Sequence, residues 1–360
     1  MKRLMTAVAS ALAFATGAFG VDIWVDQKAV NASDANAGSE AAPLLTIQAA
    51  INAVHAQGGG TVKVKPGVYD HGGQTDPSGL FCRADLSCGG VSLEGVGDRA
   101  EIVIVGARDP ESSDPYGRGP GATRCAYLPQ GYKHVQNVTL RGGVTDLADS
   151  DRGTGGGVLV AGSFGYVLDC TLVDCAAYRG GGVGGMPMAV RCLFRRNVAA
   201  VGAAQWRGGA FASIYDHNLG AAALYEVWSG HCTFFNNPQG VRAGGGSSNS
   251  ALVCANGGTE PEEAGSTTTA AHGVFQLAAP AAGDYRPFAD SGAVGRPTMR
   301  VSGHNEINGM GYDTKDYFGN PIPATGTDEA PLVSGAIQSC VADRPGGGGG
   351  TPNHGGGCPC

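Results

Sequence analysis

Three carboxylates, Asp146, Asp149 and Asp151, fall within the single run at residues 145–152. Closely spaced carboxylates suit Ca²⁺, a hard cation that takes oxygen ligands, although the run lacks the full spacing of an EF-hand loop. A solvated acidic turn is the commoner reading of the same residues. A second group joins Arg195 and Arg196 to the pair Asp216 and His217. Guanidinium groups can hold a uronate or serve as a base, and an Asp beside a His can move a proton. Surface charge and an Asx turn are the structural alternatives. Trp206, Tyr215, Tyr225 and Trp228 are dense enough to form a sugar-stacking strip, or to pack corners. An eliminative lyase must neutralise a uronate and stabilise the carbanion left when a base removes the neighbouring proton. A glycoside hydrolase needs two carboxyl groups in distinct roles.

These residues need a scaffold that sets them side by side, and the composition points to one made of many tight turns. Gly occupies 62 of 360 positions, without the Gly-X-Y period of collagen. Hydrophobic residues make up 42% of the chain and recur in short β-type runs, which argues against disorder. The formal net charge is −7. Such a chain repels phosphate backbones, so nucleic acid is a poor partner.

Lys2 and Arg3 precede an apolar run from Ala7 to Phe19 that is too short to span a bilayer and ends in Ala18-Phe19-Gly20. We expect a signal peptide over residues 1–20, and hence a secreted or cell-surface protein. Loss of Lys2 and Arg3 would leave 22 Lys and Arg (24 less two) against 31 Asp and Glu, a net charge of −9. No other run is long enough for a transmembrane helix. Eleven Cys in an exported chain suggest disulfides, but the odd count leaves at least one thiol over. Cys82 and Cys88 bracket five residues and are expected to close a small ring.

Val21 to Val25 reads as a strand. Thr46 then N-caps a helix whose Ile47, Ala50, Ile51 and Val54 form one apolar face. The alternation at residues 61–69 reads as one strand closed by Pro66-Gly67. From there to residue 256 short strands alternate with Gly and Asn, and no second helix stands out. Cys170, Cys192, Cys232 and Cys254 recur at multiples of about 21 residues, with Ile214 filling the missing rung. This period indicates stacked coils of a solenoid, its four Cys in register as buried thiols. Asn197 and Asn237 would serve at turns between coils. The runs at 155–157, 180–182 and 208–210 allow sharp bends, since no P-loop succession accompanies them.

On these residues the chain resembles known families. Residues 21–69, with Pro43-Leu44-Leu45-Thr46-Ile47-Gln48 and Gly59-Gly60-Thr61-Val62-Lys63-Val64, are similar to the N-terminal segment of the pectate-lyase-like right-handed parallel β-helix superfamily. Phe194-x-x-Asn197, Phe234-x-x-Asn237 and Gly208-Gly209-Ala210 resemble repeats of polymorphic outer-membrane β-helix proteins. Asp284-Tyr285-Arg286-Pro287, residues 290–295 and residues 316–321, closing in Ser334-Gly335-Ala336-Ile337-Gln338, are similar to the choice-of-anchor Q segment of bacterial surface β-helix proteins. Ser334 and Gln338 stand where that segment usually has an acidic pair.

The resemblance implies an all-β right-handed parallel β-helix with an N-terminal capping helix over residues 21–256, a β-helix end with the anchor-like segment over 257–340, and a Gly-rich flexible tail over 341–360. It also implies two functional classes. One is a non-catalytic surface or secreted protein that binds glycans or neighbouring surfaces; the other is a Ca²⁺-assisted polysaccharide lyase acting on a uronate-rich polymer. For the lyase, Asp216-His217 resembles part of a pectate-lyase motif, with Tyr215 where that motif has Trp. Neither His231 nor His304 is followed by Gly, so polygalacturonase-type hydrolysis finds no support. A terminal outer-membrane barrel is disfavoured, because no run of alternating strands ends the sequence. Insertions in solenoids often build one binding face. The acidic loop and the Asp216-His217 corner are therefore expected on one lateral side, about 14 to 19 Å apart at 4.8 Å per coil.

Overall fold

The computed structural model describes residues 20–129, 131, 133–245, 248–249, 252–254, 277–282, 284–287 and 316–317. Residues 1–19, most of 257–340 and the whole of 341–360 lie outside this set, and with them the signal peptide, most of the anchor-like segment, the tail and His304.

The N-terminal elements are β1 (Val21–Val25), α1 (Ile47–Ala56), β2 (Gly60–Val64), β3 (Gly67–Tyr69), β4 (Gln74–Thr75), β5 (Phe81–Asp85), β6 (Val91–Gly95) and β7 (Ile102–Val105). Next come β8 (Thr123–Leu128), β9 (His134–Gln136), β10 (Thr139–Arg141), β11 (Val158–Leu168), β12 (Thr171–Val173), β13 (Ala176–Arg179) and β14 (Val183–Val190). β15 (Leu193–Arg195), β16 (Val198–Val201), β17 (Gln205–Phe211), β18 (Ile214–Asp216), β19 (Leu224–Gly230) and β20 (Thr233–Phe235) continue the pattern. The last described strands are β21 (Arg242–Ala243), β22 (Ser248–Asn249), β23 (Leu252–Cys254), β24 (Leu277–Ala279) and β25 (Asp284–Pro287).

Strands one coil apart pair in parallel, which makes the molecule a right-handed parallel β-helix. The long wall stacks β11, β14, β17 and β19, the short wall runs from β3 to β23, and the third wall pairs β13 with β16. Each long strand bends at a register shift, as between Val160 and Gly165 in β11. Val62, Leu93, Val135, Val167, Ala189 and Ala210 face inward from the long wall. Leu140, Leu172, Phe194, Tyr215 and Phe234 face them from the short wall. Phe194, Tyr215 and Phe234 stack with centroids 4.7 and 5.0 Å apart, as adjacent strands at this register dictate.

Thr46 caps α1 by accepting the Ala49 N–H. The helix buries Ile47, Ala50, Ile51 and Val54 against β1, β2, β5 and β6, at the N-terminal end of the stack. The alternation at residues 61–69 is two strands, not one. Pro66 cannot donate to a ladder and sits at the corner between them, so β2 joins the long wall and β3 the short wall.

Two corners fix the coil. Entering the short wall, Asn137, Asp169, Arg191, Ala212 and His231 all have φ between 45 and 55°; leaving it, Asp174, Arg196, His217 and Asn236 have φ between 50 and 57°. A left-handed conformation costs a non-Gly residue roughly 1–2 kcal/mol, so closure of the coil imposes it. Behind the second corner runs a buried amide ladder. Asn197 Oδ1 accepts the Cys175 N–H, Asn218 Oδ1 accepts the Asn197 N–H and Asn237 Oδ1 accepts the Asn218 N–H, at 3.1, 3.1 and 3.0 Å. The steps are 22, 21 and 19 residues, which is the coil period.

The register corrects two cysteine expectations. Leu193 pairs with Ile214 and Ile214 with Thr233, so the rung between Cys192 and Cys232 is Ser213, whose Oγ accepts the Cys192 N–H. Cys254 pairs with Phe235 and therefore stands three positions away from the thiol column. Cys170, Cys192 and Cys232 are buried free thiols in one column, as expected.

The Cys82 and Cys88 ring is not formed, and both thiols are free. Residues 81–85 are strand rather than loop. They turn Cys82 into a cluster with Tyr127 and Leu159 outside the barrel, while Cys88 packs against the inner core.

Candidate functional site

The short wall ends at the corner where Arg195, Arg196, Asp216 and His217 meet, so the four proposed chemical residues do come together. Arg195 and Asp216 are register partners on adjacent strands, both pointing away from the core because Phe194 and Tyr215 point into it. Arg196 and His217 follow them at the left-handed corner. Arg195 Nε lies 3.1 Å from Asp216 Oδ2, and the Tyr285 hydroxyl on β25 donates to the same oxygen at 2.6 Å. Asp216 Oδ1 meets His217 Nδ1, and His217 Nε2 meets the Asn236 amide.

Asp216 is thereby fully buried although it faces outward. Burial, and then the bonded Asp216 carboxylate, push the Tyr285 phenol far above the ordinary tyrosine range. Arg196 is bidentate to Asp174, with Nε and Nη2 at 2.7 and 2.8 Å from its oxygens. That hydrogen-bonded pairing raises the proton affinity of Arg196 above the usual guanidinium value. Asp169 and Arg191 repeat the arrangement at the other corner, at 2.7 and 2.9 Å.

Chemically this corner is closed. Both ring nitrogens of His217 and both Asp216 oxygens already have partners within the fold. Sequence reasoning missed Asp174, Asn236 and Tyr285. The first had a signal, since Asp174 and Arg196 differ by the same 22 residues as Cys170 and Cys192. Tyr285 had none, because its contact spans 69 residues.

The acidic loop corrects the expected Ca²⁺ site. Asp146 pairs with Arg152 at 3.1 Å and Asp149 pairs with Arg179, while Asp151 offers its backbone carbonyl to Arg124 at 2.8 Å. The Asp146 and Asp149 carboxylates thus turn to separate arginines. Among the described residues no group of three His, Cys, Asp or Glu is placed to hold a metal ion. Arg124 organises the loop from beneath. It is fully buried, paired with Asp76, and also donates to the carbonyls of Thr154 at 2.8 Å and Gly155 at 2.9 Å.

The loop also stands on a different wall from Asp216. It departs after Val144, which bridges Ala176 of the third wall, and returns at Thr154, which bridges Arg179. Asp216 ends a strand of the short wall. One lateral site containing both segments is therefore not formed, because the insertion bulges from the third wall.

The four aromatics separate as well. Tyr215 is a core residue, its hydroxyl 2.8 Å from Gln205 Oε1. Trp206 is clamped between Arg179 and Arg207, whose guanidinium carbons lie 4.7 and 4.4 Å from its ring centroid, and it is only 9% exposed. Tyr225, its register partner on β19, is half-buried, and Trp228 on the same strand is 37% exposed. Between these two, Glu226 pairs with Arg207 at 2.8 Å. β19 therefore carries two partly exposed aromatic rings flanking an ion pair.

No family model matches the chain, and no curated protein does. Among solved structures, it is similar to a pectin methylesterase from Erwinia chrysanthemi at 14% identity, over 65% of this chain and 78% of that one, with a TM-score of 0.33. A lacto-N-biosidase from Eubacterium ramulus aligns at 11% identity over 65% and 40% of the two chains, with a TM-score of 0.25. A mannuronan C-5 epimerase A-module from Azotobacter vinelandii aligns at 14% identity over 66% and 88%, with a TM-score of 0.21.

Proposed function

We propose that the protein is an exported, non-catalytic β-helix that binds a glycan along the outer face of its long wall. The observation that carries this reading is the surface of β19, where Tyr225 and Trp228 flank the Arg207–Glu226 pair. Pyranose rings stack on aromatic faces, and a charged pair between the rings offers both donors and acceptors to hydroxyls. Tyr225 and Trp228 lie three residues apart across a bend at the left-handed Glu226, at most on the order of 10 Å, a span within reach of neighbouring sugars of one chain. The groups that a lyase or hydrolase would use are held by the fold's own ion pairs.

Removal of residues 1–20, display on the cell surface through the anchor-like segment at 257–340 and a flexible 341–360 tail complete the proposal. The basic, apolar and small-residue succession at the N-terminus supports export. The test is titration with a panel of neutral and acidic polysaccharides, followed by tryptophan fluorescence, with and without Ca²⁺. Saturable binding without change in polymer length is expected. Appearance of unsaturated products, or Ca²⁺-dependent cleavage, would overturn the non-catalytic reading in favour of a lyase.

A further inference from the structure

Cys125 and Cys175 occupy complementary places in successive coils. The Cys125 N–H donates to Gly156 O and the Ala126 N–H to Gly157 O, so Gly157 stands one rung from Cys125 where the third wall enters the long wall. Cys175 heads the asparagine ladder and stands one rung from Gly143, because Val144 bridges Ala176. Each cysteine is thus matched by a glycine in the partner coil. A Cβ on Gly143 would lie 2.8 Å from Cys125 Sγ, and one on Gly157 would lie 3.3 Å from Cys175 Sγ. The two absent side chains leave room in which the sulfurs meet.

The sulfur contacts converge on one stretch of backbone. Cys125 Sγ donates to Ile104 O and Arg141 O, both at 3.5 Å, and Cys175 Sγ donates to Leu140 O at 3.6 Å and Val173 O at 3.4 Å. Both thiols are free and fully buried. Like Cys175, the column thiols Cys170, Cys192 and Cys232 each bond the carbonyl two residues before them, at 3.1, 3.4 and 3.4 Å. Cys82 lies in the outer cluster.

We infer that Cys125 and Cys175 form a disulfide that staples two successive coils when the chain folds in the presence of a disulfide oxidant. One cysteine thiolate attacks an oxidant sulfur and expels the other as a thiolate; the second cysteine then displaces the mixed disulfide. Two S–H bonds are lost, one S–S bond forms, and the oxidant disulfide is reduced to two thiols. The exchange belongs to folding, since the closed barrel seals both sulfurs from solvent. Nothing in this step depends on where the protein resides or on glycan binding.

The full chain is refolded in oxidised and reduced glutathione, denatured, alkylated and digested without reduction. Mass spectrometry is expected to recover the Cys125 peptide joined to the Cys175 peptide, two hydrogens lighter than the separate pair, with Cys170, Cys192 and Cys232 alkylated. The cross-link persists in Cys82→Ser/Cys88→Ser and is lost in Cys125→Ser, where Cys175 becomes alkylated. Selective reduction lowers the melting temperature by several degrees. Alkylation of both Cys125 and Cys175 in the folded, unsubstituted chain would overturn the inference, as would a link from Cys125 to Cys82.

Discussion

Two lateral regions carry most of the chemically capable side chains outside the core, and they differ in what the fold does with them. At the corner of the short wall, Asp174, Arg196, Asp216 and His217 are each taken up by a partner one coil away or next in sequence. On β19 the Arg207–Glu226 pair is likewise closed, yet Tyr225 and Trp228 keep surface. The difference teaches that a charged ladder on a β-helix is first a device for registering coils. Tyr225 and Trp228, which carry no charge to be paired one strand spacing away, keep part of their surface for a ligand.

The largest expected effect tests the register behind the closed corner. Asn218→Ala removes an acceptor from two Asn197 donors and a donor from Phe194 O, all buried. A loss of about 4 kcal/mol is expected in urea denaturation, because buried polar groups left unsatisfied cost about 1–3 kcal/mol each. A change of only a few tenths would show that the corner does not depend on its amide ladder.

The second prediction extends the comparison to the opposite corner through pH. Burial lowers His231 to about 4 in the folded chain, against roughly 6.5 when unfolded. The unfolded chain binds more protons in that window, so the stability from neutral His231 is complete above pH 6.5 and is lost as pH falls towards 4. At most about 3 kcal/mol is involved, and His231→Gln should flatten that window in denaturation curves. An unchanged pH profile in the variant would show that His231 is not sealed at its corner.

Asp216→Asn keeps the size of the side chain but removes the charge that Arg195 and the Tyr285 hydroxyl share. Unfolding experiments should register a loss of about 2 kcal/mol, the scale of hydrogen bonds to a charged group. Glycan affinity should stay unchanged, and a matched loss of both would place the ligand at the corner instead. The smallest effect in energy falls on the open region. Trp228→Ala should weaken glycan binding about tenfold, equivalent to roughly 1.4 kcal/mol, with little change in the urea midpoint. Equal affinity in calorimetric titration would remove β19 as the contact.

The elements were largely legible, because the signals that specify them are local. The Thr46 cap, the apolar face of α1 and the short strands punctuated by Gly and Asn all follow from residues within one turn or strand of each other. The thiol column and the Asn turns gave the solenoid away, since stacked coils repeat side-chain type at the coil period. The site was legible only as a set of names. Arg195, Arg196, Asp216 and His217 were found together, but their partners were not, and Asp146 and Asp149 are close in sequence yet pair with different arginines.

What the sequence by itself determined is the parallel coil, because periodic burial requires only that like positions recur. Tertiary structure decided the rest. Coil lengths of 22, 21 and 19 residues put Ser213 rather than Ile214 on the thiol rung. A contact across 69 residues brought Tyr285 onto Asp216. Two glycines, Gly143 and Gly157, leave space beside the Cys125 and Cys175 sulfurs, while the strand at 81–85 turns Cys82 away from Cys88. Within the coils the physical reason is that a side chain in a solenoid finds its partner across the 4.8 Å between strands, and which residue stands there depends on every insertion in the coil between them, whereas Tyr285 reaches Asp216 from β25, which pairs with β24 outside the coil ladders.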